Sequence, residues 1–484
     1  MQVHAEKEVE ELFKVLLPLT PFAGKVHSVG GFNRDTVLGL EAKDLDAVVS
    51  EKGGAQAFTH LIFARFGGAA ISTPRQLGSG YPIWQITFKE DIALNGNTFK
   101  TAGAVIEFAD TMKESFPDQD SRQREVEFGT LDDDIKRRDF ACNMLLKDLT
   151  TGEFKDLAGT SMSDIKNGVI RGHPEVSLDK IFNEDPLRML RLVRFHCKFG
   201  WKIPLSVLKT VRRNAHRIAI ISAERIMGEL SKVMDWGKLH KAVRLMDITG
   251  LLPFVFPEVA KMKGCKQHPK HHTEGDAFRH TMLVLSHAKK GVEPQLAALL
   301  HDIGKPATQR FTDDNITFYG HEDVGAEMTE SILYRMKFEV KTIRVIKALV
   351  KHHMRPIFLN KGSEKAIRKW LREVGDDVLA DMVLDLGEAD ALGSLPPSRI
   401  PHNYMPDLRQ RVKDIRESPA GVSRKPILSG DEVIAVLGLK RGPIVGEAIE
   451  FLKELADDLA SNKRELTKDI AIEQLKVWLH TPRK

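Results

Sequence analysis

The residues able to do chemistry cluster in a few stretches. In VHSVGGFNRDTVLGLEAKDLDAVV, residues 26–49, Asp44 and Asp46 stand one residue apart after an apolar run and a Gly-Gly turn. Side chains alternate along a strand, so these two carboxylates share a face. Side by side they repel unless a cation lies between them, and Mg2+, which seeks oxygen ligands, suits such a pair. Gly30 and Gly31 remove Cβ atoms where a backbone turns sharply or approaches a ligand. With a helix over 34–40, its free amides and Arg34 would face a triphosphate. Phosphates on one side and metal-binding carboxylates on the other form the layout of nucleotidyl transfer. The plainer alternative is a strand–turn–helix with a solvated acidic end. It leaves the Arg34-Asp35 pair, Gly39 and the Asp-Leu-Asp unexplained as a set.

A second stretch, NEDPLRMLRLVRFHCKFGW (183–201), reads as one helix. Asn183 would cap it, Glu184 and Asp185 would sit in its first turn, and Pro186 is tolerated there. Asp185 and Arg188, three apart, would be neighbours on one face. Cytosine and adenine both present an amino donor beside a ring-nitrogen acceptor, and uracil and guanine present the reverse. A carboxylate that accepts and a guanidinium that donates would therefore take C and A and refuse U and G. The alternative makes Glu184, Asp185, Arg188 and Arg191 cap and ion-pair residues.

Most histidines lie farther on: His280 in GDAFRHTMLVL, His301-Asp302 in LAALLHDIGKP, His321 in FYGHEDVG, and His352-His353 in LVKHHMRP, with Asp390 in DLGEADALG. A His-Asp doublet ending a buried apolar run carries a desolvation penalty unless paired or metal-bound. Imidazole with carboxylate suits Mn, Fe, Ni or Zn. Upstream, CKQHPKHHTEGD holds His268, His271 and His272 among lysines and reads as a basic surface, not a third metal site.

The elements that must position these groups follow from periodicity. Residues 5–17 read as an amphipathic helix, 55–66 as a helix, and 83–88 and 102–108 as strands, with Glu107 near the end of the latter. That mixture indicates an α/β fold. Residues 109–135 are polar and charged, and read as an exposed, mobile segment ending in an acidic helix cap. RRDFACNMLL (137–146) carries Arg138, Asp139 and Asn143 as polar exceptions on an apolar face, as an ordinary helix would also do. From about residue 176 the strand signals stop and the chain reads as helical, with a Pro-rich break at 395–401 before a helical tail. The 484 residues suffice for three or four domains, and a net charge of +5 suits a nucleic-acid partner without demanding one. Cys142, Cys197 and Cys265 form neither a disulfide framework nor a zinc motif. The charged N-terminus and the lack of a membrane-length apolar run lead to the expectation of a soluble, cytoplasmic protein.

Together these motifs resemble the second class of tRNA nucleotidyltransferases, the family that holds bacterial CCA-adding enzymes and bacterial poly(A) polymerases. The resemblance spans nearly the whole chain. It implies an α+β protein: a polymerase-β-like nucleotidyltransferase head with an α/β fold (1–175), an all-α neck (176–262), an HD domain (263–400) and a helical C-terminal tail (401–484). It implies tRNA, CTP and ATP as partners. Asp44 and Asp46 would be the catalytic Mg2+ ligands, with Glu107 as a third carboxylate and Asp110 as its competitor. Gly30, Gly31, Arg34, Arg138, Asp139 and Asn143 would hold phosphates and sugar, and Asp185 and Arg188, with Arg191, the base. The histidine stretches resemble the HD phosphohydrolase superfamily, whose ligand order His280, His301, Asp302 and Asp390 fill. His321 and one of His352 and His353 match extra ligands of binuclear members. The resemblance implies phosphatase and 2',3'-cyclic phosphodiesterase activity there. In the tail, Lys440 and Arg441 would contact RNA phosphate or form only an exposed basic turn.

The sequence departs from the family pattern in four places. Asn33 stands where Val is usual and Ala141 where Thr is usual. Met112 stands near a common Arg position, and the insertion around 70–100 is longer than in compact members. The same motifs serve poly(A) polymerases and enzymes that add only CC or only A. A further reading makes the HD domain the main activity and the head a regulatory nucleotide-binding module.

Overall fold

The computed structural model describes all residues except 1–4, 43, 79–80, 116–124, 268–272, 274, 313–314, 395–403, 419–421, 423–424, 463 and 481–484. His268, His271, His272 and the Pro-rich break therefore lie outside the described residues. The chain forms two compact units, 1–229 with 245–255, and 230–244 with 256–484.

In the first unit, α1 (Ala5–Leu16) precedes β1 (Val26–Val29), α2 (Gly31–Val37), β2 (Leu45–Val49) and α3 (Gly54–Ala70). Then come β3 (Arg75–Leu77), β4 (Ile83–Thr87), a hairpin of β5 (Ile92–Leu94) and β6 (Asn97–Phe99), and β7 (Val105–Asp110). The hairpin lies within the 70–100 stretch, after β3 and β4. A seven-stranded sheet runs in the order β11-β10-β1-β2-β7-β4-β3, where β10 is Leu146–Asp148 and β11 is Phe154–Lys155. β1 and β2 are antiparallel, and β2 and β7 parallel.

Period two sorts β2 cleanly. Leu45, Ala47 and Val49 pack with Val9, Leu12, Phe13 and Leu16 of α1 and Phe58 and Ile62 of α3. Val48 faces the other way, into a smaller core with Val29, Ile135, Ala141, Met144 and Leu146. Asp46 shares that second face but lies open at its edge. Phe13 anchors the first core with its ring centroid 5.7 Å from Phe58 and 6.1 Å from Phe108. Burying such rings stabilises the head by about 1.5–3 kcal/mol each.

In the first unit three expectations change. Residues 112–115 and 125–128 pair as strands β8 (Met112–Ser115) and β9 (Glu125–Phe128), with Met112 opposite Phe128, so the polar segment has ordered flanks. It leads into α4 (Leu131–Lys136), closed by a Thr130–Asp133 capping box. Residues 137–146 do not form one helix. Ala141–Asn143 make a single 3-10 turn before β10, and Arg138, Asp139 and Asn143 are tied into side-chain bonds around it. Lastly, 183–201 is broken. Beyond α5 (Ser161–Asn167), α6 (Leu178–Glu184) ends and α7 (Leu187–Phe199) begins, with Asp185 extended between them at φ −141°, ψ 96°. Pro186 disfavours helical geometry in the residue before it, so Asp185 sits in a helix–helix corner and not in a first turn. Asn183 caps nothing; its Nδ2 donates to the Asp179 carbonyl at 2.8 Å.

Among its described residues the second unit is helical apart from a hairpin, β12 (Arg310–Thr312) and β13 (Asn315–Thr317), where residues of high strand propensity alternate with polar ones. That hairpin departs from the all-helical expectation. Helix Ala277–His287 packs on helix Asp377–Gly393 so closely that a Cβ on Gly393 would stand 2.8 Å from the Val284 backbone nitrogen. The tail helices, among them Gly430–Leu437, Pro443–Ser461 and Lys468–His480, share a core of Leu428, Val433, Val445, Leu452 and Leu475. Lys365 and Lys369, on helix Glu364–Val374, bond Asp458 at 2.6 Å and Glu454 at 3.1 Å, and Arg372 bonds Asp457. No helix among the described residues is long and apolar enough to cross a membrane.

Candidate functional site

The head places its carboxylates by strand register. Asp46 on β2 lies directly opposite Glu107 on β7. Asp44 precedes β2 on the face of Asp46 and is exposed. Gln85, across β4, donates Nε2 to Glu107 Oε1 at 2.9 Å and fixes its orientation. Asp110, the competitor, has another job. Its oxygens accept the backbone amides of Gly53 at 2.6 Å and Ala55 at 2.8 Å, at the start of α3. The walls around Asp46 displace enough water to push its carboxyl up to about 6. Arg138 opposes that rise, and Glu107 and Asp44 add to it. An all-oxygen set that crowds its own charge fits a hard divalent cation.

Gly30 explains why the loop can come so near. Its φ of 81° is costly for other residues. A Cβ there would stand 3.8 Å from Asp46 Oδ2 and 3.9 Å from Arg138 Nη1. Loop, carboxylate and guanidinium thus meet at one point. Arg138 is held by Asp134, with Nη2–Oδ2 at 2.8 Å and Nε–Oδ2 at 3.2 Å. Asp134 is fully buried; burial would raise its pKa, but Arg138 and Arg137 bring it below the usual range. Asp134 escaped the sequence reading, although its spacing of three and four to Arg137 and Arg138 on α4 carried the signal.

Arg34, expected at the phosphates, is only 5% exposed. Its Nη1 donates to Asn143 Oδ1 at 2.7 Å, its Nε to Asp35 at 2.7 Å, and its guanidinium lies 4.8 Å from the Phe199 ring centroid. Asn143 in turn donates to Asp139 at 2.9 Å, and Asp139 accepts Arg191 Nε at 2.8 Å. Burial would raise the Asp139 pKa, but Arg191 and Asn143 hold it down. The motif residues therefore form a connected chain, Asp35–Arg34–Asn143–Asp139–Arg191, that ties α2 to α7 from within. Asn33, the departure, is a clamp: it accepts Ser28 Oγ and donates to the carbonyls of Ser28 and Leu145, all at 2.8 Å. A valine there would leave those groups without this partner.

Asp185 and Arg188 are brought to the same corner, but each has other partners. Asp185 Oδ2 pairs with Arg225 Nη2 at 2.9 Å, and Oδ1 accepts the Leu187 amide at 3.2 Å. Arg188 donates to the carbonyls of Arg137 at 2.8 Å and Ile181 at 3.2 Å, and pairs with Glu184 at 3.3 Å. Arg225, on helix Ala223–Asp235, was not foreseen; no local pattern links residues 40 apart in sequence.

In the second unit, two triads of ligand atoms form. His280, His301 and Asp390 make one group, and Asp302, His321 and His353 the other. Asp302 spans both: its Oδ2 lies 3.2 Å from His301 Nε2, and its Oδ1 3.5 Å from His321 Nε2 and 3.8 Å from His353 Nε2. His280 Nε2 meets Asp390 Oδ1 at 2.8 Å. The Nδ1 atoms of His301, His321 and His353 bond the carbonyls of Ala298, Phe318 and Val350 at 2.9, 2.8 and 2.6 Å. Each such bond sets the tautomer and turns Nε2 inward, the usual orientation of a metal ligand. His301 Nε2 is buried and makes no well-aligned hydrogen bond, with Asp302 Oδ2 3.2 Å away, an arrangement that suits a shared cation. Burial, with His301 and His321 nearby, pushes His353 down to about 3, so the imidazole is neutral and its Nε2 lone pair is free of a proton. His352 belongs to neither triad; burial, with Arg355 nearby, lowers its pKa. Burial would raise the Asp302 pKa, but His301, Lys305 and His280 hold it well below the usual range. Gly304 is obligatory for packing: a Cβ there would lie 2.2 Å from the His321 carbonyl oxygen. In the tail, Lys440 and Arg441 flank an exposed turn, and Arg441 pairs with Asp431 at 3.1 Å, both open to solvent.

Three family models match: the poly A polymerase head domain over 26–171, the probable RNA- and SrmB-binding site of polymerase A over 200–263, and the HD domain over 277–388. The chain is 32% identical to the CC-adding tRNA nucleotidyltransferase of Thermus thermophilus, covering 67% of this chain and 73% of that one. It is 30% identical to the A-adding tRNA nucleotidyltransferase of Deinococcus radiodurans, covering 92% and 94%. In fold it matches the solved Bacillus stearothermophilus CCA-adding enzyme in complex with CTP, with a TM-score of 0.61, 20% identity, and 99% and 98% of the two chains covered.

Proposed function

The chain belongs to the tRNA nucleotidyltransferase family, and from that premise we propose that it adds CCA to tRNA 3' ends from CTP and ATP without a nucleic-acid template. The observation that carries the proposal is the convergence of Asp46, Glu107, the Gly30 loop and Arg138 at one sheet edge. In this reading Asp44, Asp46 and Glu107 hold Mg2+. A Mg2+ ion held by these carboxylates would supply activation of the terminal hydroxyl and charge compensation for the triphosphate, in a transfer in which that hydroxyl oxygen bonds to the α-phosphorus, gives up its proton, and pyrophosphate leaves. Arg138 holds phosphate at the glycine turn. Arg34 acts from behind, aligning Asn143 and Asp139, and Gly31 leaves room for its guanidinium, 3.3 Å from where a Cβ would stand. Asp185 and Arg188 choose the base once they exchange Arg225 and the backbone carbonyls for the nucleotide.

In the HD centre, His280, His301 and Asp390 hold one transition metal and Asp302, His321 and His353 a second. A metal there supplies Lewis-acid activation of water and of a phosphate ester, which makes phosphatase or cyclic phosphodiesterase activity the proposed second reaction.

A tRNA transcript ending at the discriminator base tests the first proposal. With Mg2+, CTP and ATP together, three added nucleotides are expected, with none from UTP or GTP. A second reading, addition of CC alone or A alone, is favoured by the names of the two relatives. It would appear as two nucleotides from CTP without further growth, or as one from ATP only on ends already carrying CC.

A further inference from the structure

The row of polar side chains on the second face of the head sheet does not stop at the carboxylates. Register sets Asp46 opposite Glu107, and Glu107 opposite Gln85 on β4, so three neighbouring strands present them side by side, about 4.8 Å from strand to strand. The transfer chemistry itself calls for no amide at that place. The backbone of Gln85 is held by its neighbours, which point to the other face. Ile86 is fully buried and pairs in register with the fully buried Ile106. Trp84 packs against the main core, with its ring centroid 5.3 Å from that of His60 on α3.

From that fixed point Gln85 Nε2 donates to Glu107 Oε1 at 2.9 Å. The direction of the bond is forced, because an ionised carboxylate only accepts. Two consequences follow from it. Glu107 is among the charges that push the Asp46 carboxyl up, so without a cation the two repel, and a long, flexible glutamate side chain is free to swing out to water. Gln85 ties it back beside Asp46. The same bond engages one carboxylate oxygen and leaves Oε2 for a cation. One oxygen per carboxylate suits Mg2+, which demands a compact octahedral shell. Ca2+ takes more oxygens and often both from one carboxylate.

We propose that Gln85 is a positioning residue for nucleotidyl transfer: it holds Glu107 for single-oxygen ligation and so makes the head site prefer Mg2+ to Ca2+. This rests on the reading of Asp44, Asp46 and Glu107 as the Mg2+ ligands. In this role Gln85 touches neither nucleotide nor cation. It acts only through Glu107, as the hydrogen-bond partners behind a metal ligand do.

The test is calorimetric titration of Mg2+, and separately of Ca2+, into the full chain and into Gln85→Met, which keeps length and bulk without a donor. Glu107→Gln marks which part of the heat belongs to the head. Gln85→Met should bind Mg2+ about ten- to hundredfold more weakly, with Ca2+ weakened less, so that the preference for Mg2+ shrinks. In tRNA extension the same variant should lower kcat and keep KM for CTP and ATP near the parent value. Gln85→His, whose imidazole N–H replaces the amide donor, should recover both the metal preference and kcat. Gln85→Leu, a second donor-free variant, should match Gln85→Met, and both should melt close to the parent. If the donor-free variants bind Mg2+ as the parent does, or lose both cations equally, the inference is overturned while Glu107 remains a ligand. If Glu107→Gln itself leaves both titrations unchanged, the three-carboxylate reading falls and takes the inference with it.

Discussion

Asp110 and Glu107 lie on the same strand and were rivals for one role, and their surroundings predict opposite phenotypes. Asp110 accepts two backbone amides, from Gly53 at 2.6 Å and Ala55 at 2.8 Å, at the start of a helix running Gly54–Ala70. A hydrogen bond to a charged acceptor contributes about 1.5–3 kcal/mol. Gly53 is exposed and its amide can rehydrate, so Asp110→Ala should cost roughly 2–3 kcal/mol, in the upper range for a lost helix cap. For a unit of this size that is a fall of about 4–12 °C in the melting temperature. Glu107 makes one side-chain bond, to Gln85, and faces Asp46 across the ladder. Glu107→Gln should melt within a degree or two of the parent yet lose transfer by about a hundredfold or more, the scale of removing a preorganised electrostatic group. Thermal melts and single-turnover extension of a radiolabelled tRNA, run on both variants, decide it. If Asp110→Ala melts normally and abolishes transfer while Glu107→Gln remains active, the assignment of the third carboxylate is wrong.

Other consequences can be read directly. Arg225→Ala removes the partner that Asp185 Oδ2, 2.9 Å away, must give up to meet the base, and should lower KM for CTP and ATP by several-fold at most, about 1 kcal/mol for a half-exposed pair, whereas Asp185→Ala should raise it; steady-state kinetics distinguish them. With no metal bound, the walls of the site, with Glu107 and Asp44, push the Asp46 carboxyl up to about 6 although its strand edge is open to solvent. Protons therefore compete with Mg2+ below that pH, and Mg2+ affinity measured by titration should fall roughly tenfold per pH unit between about 6 and 4.5, then flatten in Asp46→Asn. For the same group the ionised form is the disfavoured one in the fold, so the metal-free head should lose stability as pH rises from the unfolded-state value of about 3.9 through 6, and added Mg2+ should restore it. His353→Ala should lower bound transition metal by about one equivalent, measured by mass spectrometry after dialysis, whereas His352→Ala should leave it unchanged.

Much of this site was legible because its chemistry is local in sequence. Asp44 and Asp46 follow from period two, and the His301-Asp302 doublet follows from a charged pair ending a buried run. The helix–helix corner at Asp185 is hidden in the sequence because Pro186 is compatible with a first turn, whereas its effect on the residue before it is what breaks the helix. Asp110 and Glu107 could not be told apart without knowing that β7 runs parallel to β2 in the register that sets Glu107 beside Asp46. Arg225, Gln85 and the choice of His353 over His352 depend on tertiary neighbours with no spacing signal. Arg34 shows the limit from the other side: the motif marks it as important, and only its burial among Asn143, Asp35 and Phe199 reveals an inward role.

The most direct test of the central claim is extension of a tRNA lacking its 3' end, with Mg2+, CTP and ATP, by the parent chain, Asp46→Asn and Asp302→Asn side by side. Three nucleotides added by the parent and by Asp302→Asn, and none by a normally folded Asp46→Asn, are predicted. Extension surviving in Asp46→Asn, or no extension by the parent on any tRNA end, would contradict the account.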